Sequence, residues 1–496
     1  MNKESLFNKS VHGIKWMTIS SVTSTAINFL LTVILARLLN AEDYGIYQAI
    51  AVLVGFADML WSLGIGPALI RKKDLTDDDV ITGHSINILL GVMIFSFINM
   101  FVSFWCTLFS IKEPLMLRAY SFIFIFNTLL SVPKSLLYRQ YEFKRLSVCN
   151  ILSVIVHAIV GISLAKLGMG TWALIYGILA QYFFQILLIM PTYKHGLIFK
   201  IKKSSVRELV YFGGGYTMMQ LFNYVALQGD NFIVNKTMGS VSLGYYGKAY
   251  NLMGYPANLV GQTLDQVMYP ILSKSQEDKH KLKRIFCAET CMTGLIVAPI
   301  SVVGVVCKSE LVDFILGKEW SLVAAPMAVM VFGLFFRSAY KLNYTLLKAV
   351  GKVYTMSIMQ LIYAIMVLCG SYIGRLDGLV GVSIGVSIAI IFNYIISLIP
   401  ISMFLHIKVS DLFEYMKSVF VLTFLLYVIG AFIYQLLRYM GILNSMLTLI
   451  IMTILVFGSY FCAYILLQKW IVPNIVNEYL IKVWNLIKNK FMRHKN

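Results

Sequence analysis

The sequence predicts an all-α integral membrane protein. It has fourteen transmembrane helices: two six-helix lobes in parallel repeat, then two added C-terminal helices. Three observations predict it. Only 13% of the 496 residues are charged and 59% are hydrophobic, where a soluble domain carries about 25% charged residues. Apolar stretches long enough to cross the hydrocarbon core, which takes about 20 helical residues, recur along the whole chain. Landmarks of the first half return 199 to 210 positions later.

The candidate spans, in order, are Lys15–Ala36, Tyr44–Leu69, His84–Ser110, Leu115–Leu137, Leu146–Lys166, Thr171–Pro191, Leu209–Asn235, Leu243–Leu272, Ile285–Cys307, Val323–Leu347, Val353–Ile373, Gly378–Leu405, Met416–Leu437 and Gly441–Gln468. The first is too long for a signal-peptide core and reads as an uncleaved span. The loops agree with the count. With the N-terminus inside, 31 of the 42 Lys and Arg fall on the cytoplasmic side and 9 opposite, with Lys248 and Arg337 inside spans. Basic residues collect on the cytoplasmic side of membrane proteins. Both termini are therefore expected in the cytoplasm. Residues 471–496 have helical apolar periodicity with basic residues between, as expected of a helix lying on the membrane surface.

The repeat is read from short matches. Ala36–Tyr47 (ARLLNAEDYGIY) returns as Asn235–Tyr246 (NKTMGSVSLGYY), with Gly45 on Gly244 and Tyr47 on Tyr246. Gly170 and Gly177 return as Gly378 and Gly385, and Leu136-Leu137 as Leu346-Leu347. Six spans separate the copies, so both insert the same way up, and a transporter so built holds its site near the midplane between repeats. The expected divisions are 1–205 and 206–410 for the lobes, 411–470 for the added helices and 471–496 for the tail.

Several function classes are excluded. No loop is long enough to form a catalytic or nucleic-acid-binding domain, so the net charge of +19 reflects topology. The seven cysteines show no zinc-ligand spacing, and Cys287 and Cys291, one turn apart, read as buried small residues. No metal or cofactor is expected. Asp77–Asp79 has the look of a metal-nucleotide DxD. The better reading has Thr76 capping the next helix, with acidic residues in its first turn suiting the positive end of the dipole.

Polar residues inside spans carry the functional signal, since a charge at a helix centre costs roughly 2.5–3.5 kcal/mol to insert. In span eight, Lys248, Asn251, Tyr255, Asn258, Gln262 and Asp265 lie on one helical face. Gly247, Gly254 and Gly261 occupy the adjoining face, where small residues admit a neighbouring helix. Pro256 and Pro270 favour a bend or break. Span ten carries Arg337, Lys341, Tyr344 and Lys348 at helical spacing. The matching positions of span four are Asn127, Ser131, Lys134 and Tyr138, so positive charge is concentrated in the second copy. Spans one and seven add Ser21, Thr25, Asn28 and Thr32, and Gln220, Asn223 and Asp230. A polar cavity lined by the repeated helices accounts for these stripes. Lys248, Lys341 and Lys348 could instead reach the headgroups. Asp58, Asp230 and Asp265 are either structural partners of the cations or sites for a coupling ion.

Two stretches resemble a known family. Val33–Ile50 (VILARLLNAEDYGIYQAI) with Leu60–Asp74 (LWSLGIGPALIRKKD), and Leu243–Lys274 (LGYYGKAYNLMGYPANLVGQTLDQVMYPILSK), are similar to the Wzx-type polysaccharide exporters. That group includes teichuronic and colanic acid exporters and belongs to the multidrug/oligosaccharidyl-lipid/polysaccharide superfamily. The resemblance implies the two-lobed core of that superfamily (MATE/MOP-like) and the bacterial cytoplasmic membrane. It implies flipping, by alternating access, of an undecaprenyl-pyrophosphate oligosaccharide for capsule, O-antigen or exopolysaccharide. Its implied partners are the lipid-linked oligosaccharide, membrane lipids, a polysaccharide polymerase complex, and protons or sodium ions. No nucleic acid and no covalent chemistry are implied. Arg337, Lys341, Lys248, Asn251, Asn258, Gln262, Gln220, Asn223 and Asn28 are the candidate substrate contacts, and Asp58, Asp230 and Asp265 the candidate coupling residues.

A pyrophosphate head is a concentrated anion that Arg can bind through paired hydrogen bonds, and the neutral polar stripes suit sugars. A cation-coupled multidrug antiporter of the same superfamily is the nearest alternative; it calls for deep carboxylates, whereas Arg337 is positive. A multispan glycosyltransferase or polymerase is a more distant one. Reporter fusions after residue 496 should be active only for a cytoplasmic reporter; activity of a reporter that needs export would overturn this topology.

Overall fold

A computed structural model describes residues 3–61, 64–72, 74–193, 198–274, 278–407, 409–441 and 444–471. The predicted tail helix at 472–496 lies outside them. Among the described residues the protein is helical, without strands. Two compact units divide at Tyr245/Tyr246, beyond the lobe boundary expected at 205/206.

Unit 1 contains α1 (Lys3–Ala36), α2 (Ala41–Trp61), α3 (Ile65–Arg71), α4 (Asp77–Met100), α5 (Val102–Phe109), α6 (Pro114–Arg139), α7 (Phe143–Lys166), α8 (Thr171–Ile189) and the first limb of α9 (Lys203–Lys274). Helix α7 packs on α8 and α1, and α6 on α4 and α8. Unit 2 takes the second limb of α9, then α10 (Lys279–Val306), α11 (Lys308–Ile315), α12 (Ala324–Phe332), α13 (Leu334–Ala349), α14 (Val353–Gly374), α15 (Gly378–Leu405), α16 (Val409–Tyr439) and α17 (Ser445–Ile471). There α14 packs on α15, α13 on α15, and α10 on α16.

Helix starts follow from local chemistry. Thr76 is the N-cap of α4, as expected, and forms a capping box with Asp79. Asp78 and Asp79 are engaged by cations: Lys200 and Lys202 reach Asp78 at 2.8 and 3.0 Å, and Lys72 reaches Asp79 at 2.9 Å. Asn40 and Asp43 cap α2 reciprocally, at 2.9 and 3.3 Å. Asp43 also accepts from the Thr171 backbone at 3.0 Å, which fixes the start of α8 to the start of α2. Arg139 covers the open end of α3, donating to the carbonyls of Leu69, Ile70 and Lys72.

Two of the interruptions fall at glycines. Helix α9 has non-helical backbone only at Gly239 (φ 84°, ψ 173°), between spans seven and eight, and runs on through Pro256 and Pro270. A positive φ suits glycine, which has no Cβ to clash; the prolines sit where the helix loses a hydrogen bond but continues. Span ten is bent by 48° between the stretches Lys318–Phe332 and Leu334–Ala349, with Gly333 at the joint.

Backbone contacts give the repeat physical form. A Cβ on Gly45 would overlap the Ser240 carbonyl and sit 3.1 Å from its Cα; one on Gly244 would overlap the Ala41 carbonyl and sit 3.2 Å from its Cα. Positions 41 and 45 are the equivalents of 240 and 244, so the contact is reciprocal, as in a two-fold interface. The α7–α8 and α14–α15 hairpins match too. A Cβ on Gly177 would lie 3.4 Å from Gly161 Cα, and one on Gly370 would lie 2.7 Å from the Gly385 carbonyl oxygen.

The added helices α16 and α17 are held to unit 2 by tyrosines. Tyr434 donates to Glu310 at 2.8 Å, Tyr460 donates to the Leu295 carbonyl at 2.8 Å, and Tyr427 pairs with Ser301 at 2.8 Å. Arg438 reaches Glu310 at 3.2 Å. Gly45→Leu and Gly244→Leu should each lower the thermal midpoint of the detergent-solubilised protein, since overpacking costs about 1–3 kcal/mol. Gly458→Leu is the control, because among the described residues no atom lies within 4 Å of the added Cβ. A wild-type midpoint for Gly45→Leu would remove the crossing as a constraint.

Candidate functional site

The cations predicted inside the spans of unit 2 lie on α13 and on α9 beyond Gly239. Positions 337, 341, 344 and 348 share one face of α13. Arg337 is 6% exposed. Its Nη2 donates to the Tyr250 hydroxyl, and its guanidinium carbon lies 4.3 Å from the centre of the Tyr250 ring. Arg stacks on aromatic faces because the ring quadrupole attracts the cation. Tyr340 extends the aromatic surroundings, 5.8 Å from both Tyr344 and Tyr363.

One turn on, Lys341 is half-buried, and its ammonium donates to Asn258 Oδ1 at 2.9 Å. A Cβ on Gly261 would sit 2.9 Å from Lys341 Cδ. The glycine therefore admits the stem of a side chain where the sequence suggested a neighbouring helix. At Gly254 an added Cβ would meet, among the described residues, only the Asn258 amide nitrogen at 3.9 Å. Lys248 is buried, with its ammonium 5.5 Å from the centre of the Trp320 ring. Tyr344 donates to Asn393 at 2.9 Å, and Lys348 is exposed. Asn251 is exposed. The side chains of Gln262 and Asp265 lie outside the described residues.

Unit 1 holds the remaining candidates. Asp58 accepts from Asn127 at 3.2 Å. Asp230 is buried and accepts from the Asn231 backbone at 2.8 Å. Asn28, Gln220 and Asn223 are half-buried. Lys134 donates to Gln185 at 2.6 Å, and Gln185 donates in turn to Ser153 at 2.8 Å.

The structure thus brings Arg337 to Tyr250, Lys341 to Asn258 and Gly261, Lys248 to Trp320, and Asp58 to Asn127. Sequence reasoning missed Tyr250, Trp320 and Gln185. Gln185 had an available signal: it matches Asn393 at the offset of 208 read from the glycines. Lys134–Gln185 and Tyr344–Asn393 thus join positions that match at the offsets of 210 and 208. Tyr250 and Trp320 had no signal, because each lies off the polar stripe that drew attention to its neighbour.

Long apolar helices with cations held among them define a multipass membrane protein. The chain belongs to the polysaccharide biosynthesis protein family, which matches residues 34–325. The resemblance carried by Val33–Ile50 and Leu243–Lys274 is borne out. The chain is 25% identical over 407 residues to an uncharacterized membrane protein in the cps region of Klebsiella pneumoniae, covering 79% of this chain and 82% of that one. It is 23% identical over 405 residues to the lipopolysaccharide biosynthesis protein WzxC of Escherichia coli K12, covering 79% and 81%. The fold is similar to that of the lipid II flippase MurJ in an inward closed conformation. The TM-score is 0.70 at 16% identity, over 90% of this chain and 99% of that one.

Proposed function

We propose that this chain flips a lipid-linked oligosaccharide repeat unit, an undecaprenyl-pyrophosphate glycan, across the cytoplasmic membrane by alternating access for surface polysaccharide biosynthesis. The relatives' names supply the pathway class. The observation that carries the reading is the cation pair Arg337 and Lys341, one turn apart on α13, with Lys341 resting on a neutral amide. Charge is retained inside an apolar helix where it meets a counter-charge, water or a substrate, and a pyrophosphate is such a counter-charge. Arg337 is oriented by Tyr250, and Lys341 is the more accessible donor. Exposed Asn251 and Asn258 offer donors and acceptors to sugar hydroxyls. The polyprenyl tail stays in lipid, and no residue performs covalent chemistry.

Fourteen spans belong to this reading, with both termini cytoplasmic. Among the described residues nine stretches are long and apolar enough to cross a membrane, or ten with the bent pair. The stretch Tyr354–Leu405 contains α14 and α15. Counting these separately and adding α2 and the two limbs of α9 brings the total to fourteen. A polysaccharide polymerase is the expected partner downstream. Asp58, whose carboxylate takes one amide donor from Asn127, is our candidate for proton or sodium coupling.

Arg337→Gln/Lys341→Gln should abolish surface glycan in cells lacking the native copy while the protein still accumulates in the membrane. Normal glycan in that double variant would sink the proposed site. Asp58→Asn should make export insensitive to collapse of the ion gradient; an unaltered gradient dependence would dismiss Asp58.

A further inference from the structure

Lys341 lies in a slot whose two walls come from one face of α9. Gly261 and Asn258 are three residues apart, hence neighbours on the helix surface. A Cβ at Gly261 would stand 2.9 Å from Lys341 Cδ and 3.5 Å from its Nζ, so the stem occupies space that another residue would fill. The ammonium then ends 2.9 Å from the Asn258 carbonyl oxygen. Asn258 is exposed and Lys341 half-buried, so the head of the lysine borders open space while its stem is packed.

We infer that Gly261 and Asn258 form a resting slot for the Lys341 ammonium, from which it transfers to the anionic phosphate head of the incoming lipid. This rests on the proposed flippase reading and assigns positioning roles to two residues of the same site. The chemistry of the acceptor decides the matter. A neutral amide holds an ammonium less firmly than a phosphate oxygen does, because the amide offers only a dipole where the phosphate offers a full opposite charge. The amide keeps the cation pointed into the open space without competing with the substrate. A carboxylate at position 258 has nearly the same shape and would capture the ammonium as an ion pair.

The test is the order of two variants, read as surface glycan per unit of membrane-inserted protein. Asn258→Asp, though nearly isosteric, should export about tenfold less than Asn258→Ala, which corresponds to about 1.4 kcal/mol of added hold on the ammonium. A purely structural role for Asn258 gives the opposite order, since alanine removes the side chain. The ion pair should also raise the thermal midpoint of purified Asn258→Asp, and that gain should vanish in Asn258→Asp/Lys341→Gln. If Asn258→Asp does not accumulate, Asn258→Glu is read in its place. Wild-type export by Lys341→Gln would overturn the flippase site itself. Loss of export in Lys341→Gln, with Asn258→Asp exporting as well as Asn258→Ala or better, would overturn the slot alone.

Discussion

A cation inside an apolar bundle has to find its partners on its own chain. That constraint explains the arrangement of this protein's interior. Every backbone and side-chain polar group left unsatisfied in hydrocarbon costs several kcal/mol. Arg337 meets it with the face and hydroxyl of Tyr250, Lys248 with the face of Trp320, and Lys134 with Gln185. Tyr250, Trp320 and Gln185 are each neutral partners. An aromatic face or an amide holds a cation in place without carrying a negative charge of its own.

Helix ends obey the same constraint. Asp43 caps α2 and also takes the first amide of α8, and Arg139 takes three carbonyls at the end of α3. Tyr434 and Arg438 converge on Glu310 from α16. The first two devices satisfy groups that a terminus leaves open, and all three join elements distant in sequence. Satisfying a helix end and fixing one helix to another are here the same interaction.

The sequence disclosed the features that depend on spacing. Gly45 and Gly244 marked the repeat, and the structure gives the reason: each lies against the backbone of the other's hairpin, where a side chain would not fit. Thr76 and Asp79 were legible because a capping box is local. Contacts set by tertiary packing were not legible. Pro256 and Pro270 suggested a break, yet α9 breaks at Gly239, because a missing hydrogen bond can be tolerated within a span while a reversal between spans needs positive φ. The stripe on α9 located Lys248 and Asn258 but not Tyr250 or Trp320. Helical spacing says which residues share a face, and leaves open which residue of another helix faces them.

The two copies then differ in an instructive way. The equivalent contacts Lys134–Gln185 and Tyr344–Asn393 join corresponding helices in each. In the first copy the contact carries a charge. In the second it is neutral, and the charges stand one and two turns earlier, at Lys341 and Arg337. A lysine locked at 2.6 Å to a glutamine that is itself held by Ser153 belongs to the framework. A lysine at the edge of open space on a single exposed amide does not. The positions that match at these offsets thus differ in charge: Lys134 is tied into its own packing by Gln185 and Ser153, while Lys341 ends on the exposed Asn258.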